Sequence, residues 1–191
     1  MEKQIQPGAF TPPSGGRGAI LAIPGSLRSG STNHNILKYL GSLVPAGVDY
    51  IIYHDLALIP PFDPGLDTDT PPAPVASLRQ LLADADGVII CTPEYAFGVP
   101  GQLKNMLDWM VSSCSFVDKP VALITASLGG EHAHASLLLT LGALSARVID
   151  DANLIISFIR SKMDGDNIAD EDLRKKLNEV LKVFLNPVNH V

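Results

Sequence analysis

From Ala19 onward, short apolar runs alternate with longer stretches in which apolar residues recur every third or fourth position. Runs of the first kind predict buried strands, and stretches of the second kind predict helices with one covered face. Ala19–Ile23 reads as a strand ending at Pro24-Gly25. Ile36, Leu37, Leu40, Leu43 and Val44 then share one helical face, with Ser31 or Thr32 placed to cap the helix. Val48–Tyr53 is a second strand; Leu78, Leu81, Leu82 and Ala85 mark a helix, and Gly87–Thr92 a third strand. Pro100 opens the next helix, whose stripe is Leu103, Met106, Leu107 and Met110. Val121–Thr125 is a fourth strand, followed by a helix through Leu137, Leu138, Leu141 and Leu144. Arg147–Phe158 holds a fifth strand with an extension. Leu173, Leu177, Val180, Leu181 and Phe184 close the chain as an amphipathic helix.

Strands alternating with helices in this way predict an α/β fold with a parallel sheet covered on both faces. Right-handed crossovers favour the flavodoxin-like three-layer sandwich with strand order 2-1-3-4-5, whose ligands bind beyond the carboxyl ends of the strands. Residues 1–17, rich in Pro and Gly, are expected to form a flexible tail, and residues 18–191 one domain. Between Asp55 and Pro74, Pro60, Pro61, Pro64, Gly65, Pro71, Pro72 and Pro74 interrupt any period. A connection that long is expected to cover a site or an interface. The acidic stretch from Asp164 to Asp172 lacks calcium-loop spacing and the closing Glu, so a solvated turn and helix start are expected there.

Composition narrows the classes. The formal net charge of -6 argues against a general nucleic-acid binder or a polybasic membrane-surface protein. Cys91 and Cys114 belong to no paired motif, which disfavours a disulfide framework or a zinc site and makes the cytoplasm the expected compartment. No apolar run approaches the length of a membrane span, so membrane insertion is not expected.

The chemistry falls in three loops after strands. The first, Gly25-Ser26-Leu27-Arg28-Ser29-Gly30-Ser31-Thr32-Asn33, runs into a helix N-terminus, where free N–H groups and the dipole favour an anion. Ser26, Ser31, Thr32 and Asn33 add side-chain donors and Arg28 a charged one, which suits a phosphate. Ser31 stands where a P-loop requires lysine, and Leu27 where the dinucleotide fingerprint requires its second glycine. The second loop, Thr92-Pro93-Glu94-Tyr95-Ala96-Phe97-Gly98-Val99-Pro100-Gly101, combines fixed prolines with two aromatics that suit a flat heteroaromatic ring. The plain alternative is that Tyr95 and Phe97 pack beneath their own loop. The third, Thr125-Ala126-Ser127-Leu128-Gly129-Gly130-Glu131-His132, has glycines that let a ligand approach the backbone.

Gly-Ser-Leu-Arg with Ser31 and Asn33, Pro-Glu-Tyr, and Pro-Gly-x-Leu-Lys-Asn-x-x-Asp-Trp together resemble the NADPH-dependent FMN reductase family. The resemblance runs from about Ala19 to about Leu144. It implies a flavodoxin-like homodimer or homotetramer carrying FMN, with NADPH or NADH as donor and a quinone, flavin or azo compound as acceptor. Position by position, it puts the FMN phosphate on Ser26, Arg28, Ser31 and Asn33, with Leu27 and Thr32 of the same loop also at the cofactor. The ring lies against Pro93, Glu94, Tyr95, Ala96, Phe97 and Gly98, and Ser127, Gly129 and Gly130 close the far side. Many relatives carry Asn where this chain has Ala96, which implies a more apolar acceptor pocket.

The implied reaction passes hydride from nicotinamide to flavin, and the acceptor then takes the same face; it requires no dedicated acid or base. The competing reading is a non-enzymatic flavodoxin-type carrier, but the arginine of Gly-Ser-x-Arg and the Leu-Lys-Asn helix favour the enzyme. His132 and His134, two apart on a helix, are expected to point apart rather than chelate. Cys91 is expected as a small buried hydrophobe, and Lys104 and Asp108 as a surface pair. Trp109 and Met110 are either partner contacts, as the resemblance implies, or core.

Overall fold

The computed structural model describes residues 18–28 and 30–188. The expected tail, residues 1–17, lies outside the described residues, as do Ser29 of the first loop and 189–191 at the end of the expected domain. The chain runs β1 (Ala19–Pro24), α1 (Thr32–Leu43), β2 (Asp49–Ile52), α2 (Ala73–Asp84), β3 (Gly87–Thr92) and α3 (Gly101–Asp108). It continues through β4 (Pro120–Ala126), α4 (Glu131–Ala143), β5 (Arg147–Ile156), β6 (Met163–Asp164), β7 (Asn167–Ile168) and α5 (Glu171–Val188). Strands β2-β1-β3-β4-β5 form one parallel sheet in that order.

Strand alternation splits the apolar residues between two cores. Leu21, Ile23, Val88, Ile90, Val121 and Leu123 pack with the helices α2, α3 and α4. Ile20, Ala22, Ile89, Cys91, Ala122 and Ile124 pack with α1 and α5. Trp109 and Met110 belong to the first core and are buried, so they are core side chains rather than an exposed partner surface. On α4 the covered stripe is Ala133, Leu137 and Leu141; Leu138, expected within it, is exposed.

The proline-rich connection is fixed by one polar face of α3. Gln102 Nε2 donates to the carbonyls of Leu56 (2.8 Å) and Ile59 (2.7 Å). Asn105 Nδ2 and Trp109 Nε1 both donate to the Pro60 carbonyl, at 2.9 and 2.8 Å. Asn105 Oδ1 accepts the Phe62 N–H (2.7 Å), and the Phe62 ring meets Trp109 edge-on at 5.1 Å. Prolines leave carbonyls without strand partners, and Gln, Asn and Trp at helical spacing supply the missing donors. Further along, Asp67 accepts from Arg79 (2.7 Å) and Ser112 (2.8 Å), which hold its carboxyl below the usual range.

Three departures lie at β5 and after it. The β5 register jumps from Val148 to Asn153 while β4 advances from Val121 to Leu123, leaving exposed Asp150 and Asp151 in a bulge. A bulge bearing charge blunts an edge strand against further pairing. The expected extension of strand five is a turn at Phe158 and a 3₁₀ turn, Ile159–Lys162, instead of strand. The acidic stretch, expected as solvated turn and helix start, begins with the β6–β7 hairpin, whose turn has Gly165 at φ 57° in its first central position. Asp170 then caps α5 through Leu173 N–H (2.7 Å).

Replacing Asn105 by Ala removes a donor and an acceptor at once: the Phe62 N–H loses its partner, and the Pro60 carbonyl keeps only Trp109 Nε1. We expect a stability loss of about 2 kcal/mol in urea unfolding, with faster proteolysis in residues 60–72. An unchanged urea midpoint would show that the loop is held without α3.

Candidate functional site

The carboxyl ends of β1, β3 and β4, with the turn after β5, enclose a cavity of about 530 Å³. Gly25 sets how closely the first two meet. Its N–H donates to the Cys91 carbonyl (2.8 Å), and a Cβ there would lie 2.2 Å from Thr92 Oγ1. Any side chain would push the first loop off the sheet.

Ser31, of the two expected caps, is the N-cap of α1: its Oγ accepts the His34 N–H (3.2 Å), leaving its own hydroxyl hydrogen for the cavity. Ser26 Oγ accepts the Arg28 N–H (3.3 Å), which folds the loop back on itself. Ser26, Arg28, Ser31, Thr32 and Asn33 all line the cavity; Leu27 does not. Asn33 is only 3% exposed, and its side chain turns toward the strand ends. Its Nδ2 donates to the Ala126 carbonyl (3.3 Å), and its Oδ1 accepts from Cys91 Sγ (3.4 Å). Cys91 is fully buried, and burial pushes its thiol pKa up, away from reactivity.

Pro93, Glu94 and Tyr95 line the opposite wall. The Glu94 carboxylate accepts the Ala133 N–H (2.8 Å) in the first turn of α4, and its carbonyl accepts from Ser127 Oγ (3.3 Å). One acidic residue thus fastens the second loop to the third, with its charge set against a helix N-terminus. Ala96, Phe97 and Gly98 lie outside the lining. Tyr95 and Gly98 exchange two backbone hydrogen bonds (3.0 and 2.9 Å) around Ala96 and Phe97, at φ 49° and 59°. Such a turn favours Asn-Gly, so the Asn common at the Ala96 position has a backbone reason. Phe97 is 78% exposed and meets His132 edge-on at 5.1 Å, so it does not pack beneath its own loop.

Ser127 lines the cavity, whereas Gly129 and Gly130 do not; Gly130, at φ 132°, is the N-cap of α4. His132 faces Phe97, while buried His134 pairs its Nδ1 with Thr125 Oγ1 at 2.9 Å. Burial lowers the His134 pKa from 6.5.

Sequence reasoning missed Ala126, Leu128, Phe158, Ile159, Arg160 and Ser161, all of which line the cavity. The rule that ligands sit beyond carboxyl ends of strands also covers the segment after strand five. Reading residues through Phe158 as strand hid it. Phe158 takes a left-handed φ of 54° instead, and its N–H and that of Ile159 donate to the carbonyls of Leu128 and Ser127, each at 3.1 Å.

The donor set fits FMN. A phosphate matches a helix N-terminus with hydroxyls and arginine, and a flat ring matches backbone flanked by Tyr95, Leu128 and Phe158. Residues 19–160 match the model of the family described as NADPH-dependent FMN reductase. The chain belongs to that family. It is thereby an NAD(P)H-dependent flavoprotein oxidoreductase. Over 151 residues it is 33% identical to a quinone reductase of Escherichia coli (strain K12), covering 76% of this chain and 80% of the relative. Over 172 residues it is 33% identical to a 2-hydroxy-1,4-benzoquinone reductase of a Burkholderia species, covering 86% and 93%. The solved flavoenzyme NAD(P)H:(acceptor) oxidoreductase of Paracoccus denitrificans superposes with a TM-score of 0.79 at 26% identity, covering 91% of this chain and 98% of that one.

Two stability predictions follow for this FMN reductase relative. Ala96→Asn relieves one left-handed alanine and should stabilise the protein by up to about 1 kcal/mol in urea unfolding; no gain would mean the turn is unstrained. Burial holds the His134 pKa lower in the folded protein than in the unfolded chain, so the stability tied to its neutral form is lost as pH falls through the unfolded value of about 6.5. The urea midpoint of the native protein should therefore fall more steeply than that of His134→Gln between about pH 7.5 and about pH 5.5. Parallel slopes would refute it.

Proposed function

We propose that this chain holds FMN in the cavity above β1, β3 and β4 and reduces a small quinone-type acceptor with NADPH or NADH. The observation that carries the proposal is the convergence of three separate loops on one cavity. Ser26, Arg28, Ser31 and the start of α1 meet there with Pro93–Tyr95 and Ser127. FMN, when bound, supplies the two-electron chemistry between nicotinamide and acceptor.

The residues orient and shield. Ser26 and Ser31 hydroxyls, Arg28 and the first N–H groups of α1 hold the phosphate, with Leu27 and Thr32 in the same loop. Pro93, Glu94, Tyr95 and Ser127 place the ring, while Ala96, Phe97 and Gly98, and Gly129 and Gly130, act through the shape of their turns. Tyr95, Leu128 and Phe158 leave apolar surface at the mouth, exposed by 58%, 75% and 64%, which suits a flat acceptor. The folded unit is residues 18–191 behind a tail of residues 1–17, acting as a cytoplasmic homodimer or homotetramer. The oligomeric state rests on the family resemblance, the compartment on cysteine usage and the tail on its proline and glycine content. Among the described residues no helix is long and apolar enough to cross a membrane.

NADPH added anaerobically to the FMN-loaded protein should bleach its visible flavin absorbance, and a quinone should restore it. Flavin that stays oxidised with both NADPH and NADH would instead mark a carrier reduced by a protein partner.

A further inference from the structure

The cavity holds a second arginine outside the family's phosphate motif. Arg160 sits in the 3₁₀ turn Ile159–Lys162 and lines the cavity together with Arg28. Both are exposed, and neither has a carboxylate partner among the described residues. By contrast Lys162, two residues on, pairs with Asp170 at 3.0 Å.

Three features direct the turn toward the phosphate end. The left-handed Phe158 reverses the chain after β5, and the hydrogen bonds to Ser127 and Leu128 hold the reversal. Ser161 ties back to the Phe158 carbonyl through both its N–H (3.0 Å) and its Oγ (2.8 Å). The hairpin that follows reaches the first turns of α1, where Asn35 Nδ2 donates to Asp166 Oδ1 at 2.9 Å. Residues 159–166 therefore span from the third loop to the helix whose N-terminus receives the phosphate. A bulky residue at positive φ persists only where its surroundings over-determine it.

Charge leads to the same place. A phosphate monoester carries about -1.5 to -2 charges near neutrality. Arg28 neutralises one of them. A second cation at the cavity completes the balance.

We infer that Arg160 is a second phosphate-reading residue, meeting the FMN 5′-phosphate together with Arg28. The inference rests on FMN occupying this cavity as proposed above. The test compares FMN and riboflavin binding by flavin fluorescence quenching, using full-length protein stripped of flavin, as wild type, Arg160→Gln and Arg160→Lys. Arg160→Gln should weaken FMN binding about tenfold and flatten its salt dependence, while riboflavin binding stays unchanged. Arg160→Lys should recover part of the loss. Unchanged riboflavin affinity also shows that the variant is folded. FMN affinity within twofold of wild type overturns the inference, and a raised KM for NADPH alongside it assigns the arginine to the nicotinamide's phosphates. Equal losses for FMN and riboflavin overturn it as well, since the residue would then shape the site rather than read phosphate. Wild-type protein that binds neither flavin refutes the underlying reading itself, a result distinct from all of these.

Discussion

Asn33 ties the start of α1 to the carboxyl ends of two neighbouring strands. Its amide bonds the Ala126 carbonyl at the end of β4, and its carbonyl oxygen accepts the Cys91 thiol at the end of β3. Both contacts are long, and the thiol donates weakly, yet they are buried, where an unpaired amide costs about 1–3 kcal/mol. Asn33 is also the second residue of α1, so the helix N-terminus is fixed relative to the strand ends. Gly25 completes the constraint from the other side, because only a residue without Cβ fits against Thr92. The anion-facing end of α1 and the β3 and β4 loops are thereby one rigid frame. Precise placement of this kind is what a cofactor needs from its protein.

The electrostatics of that frame are local. The chain is acidic overall, with a net charge of -6, yet the cavity presents a helix N-terminus and two arginines without a carboxylate partner among the described residues. Its one lining carboxylate, Glu94, is spent on the Ala133 N–H at the start of α4. That contact turns a group that would repel phosphate into a fastener between two loops. The same economy appears in α3, where Gln102, Asn105 and Trp109 serve the proline-rich connection while Leu103, Met106 and Leu107 fill the core. A motif that marks the family therefore works largely by holding a loop.

Most of the architecture was legible because the central strands β1, β3 and β4 are short apolar runs and most helices carry a periodic apolar stripe; β3 matches its expected bounds, Gly87–Thr92. Legibility failed where backbone geometry rather than hydropathy decides. Phe158 and Ile159 continue the apolar run of β5, so nothing in their side chains announces a left-handed turn. Ala96 and Phe97 lack the Asn-Gly signature of the turn they form. In the site, the phosphate loop was readable from side-chain chemistry plus position at a helix start. The inward role of Asn33 was not, because its partners Cys91 and Ala126 are distant in sequence and join it only through the sheet order. Phe158 and Arg160 were obscured by the unannounced turn after β5.

The phosphorus-31 NMR spectrum of the FMN-loaded protein, followed across pH, tests the phosphate cradle most directly. A phosphate held by Arg28 and the α1 N-terminus stays dianionic, so its resonance should not move through about pH 6, where free FMN titrates. A bound-state resonance that tracks the free cofactor through that range would place the phosphate in solvent and contradict the cradle.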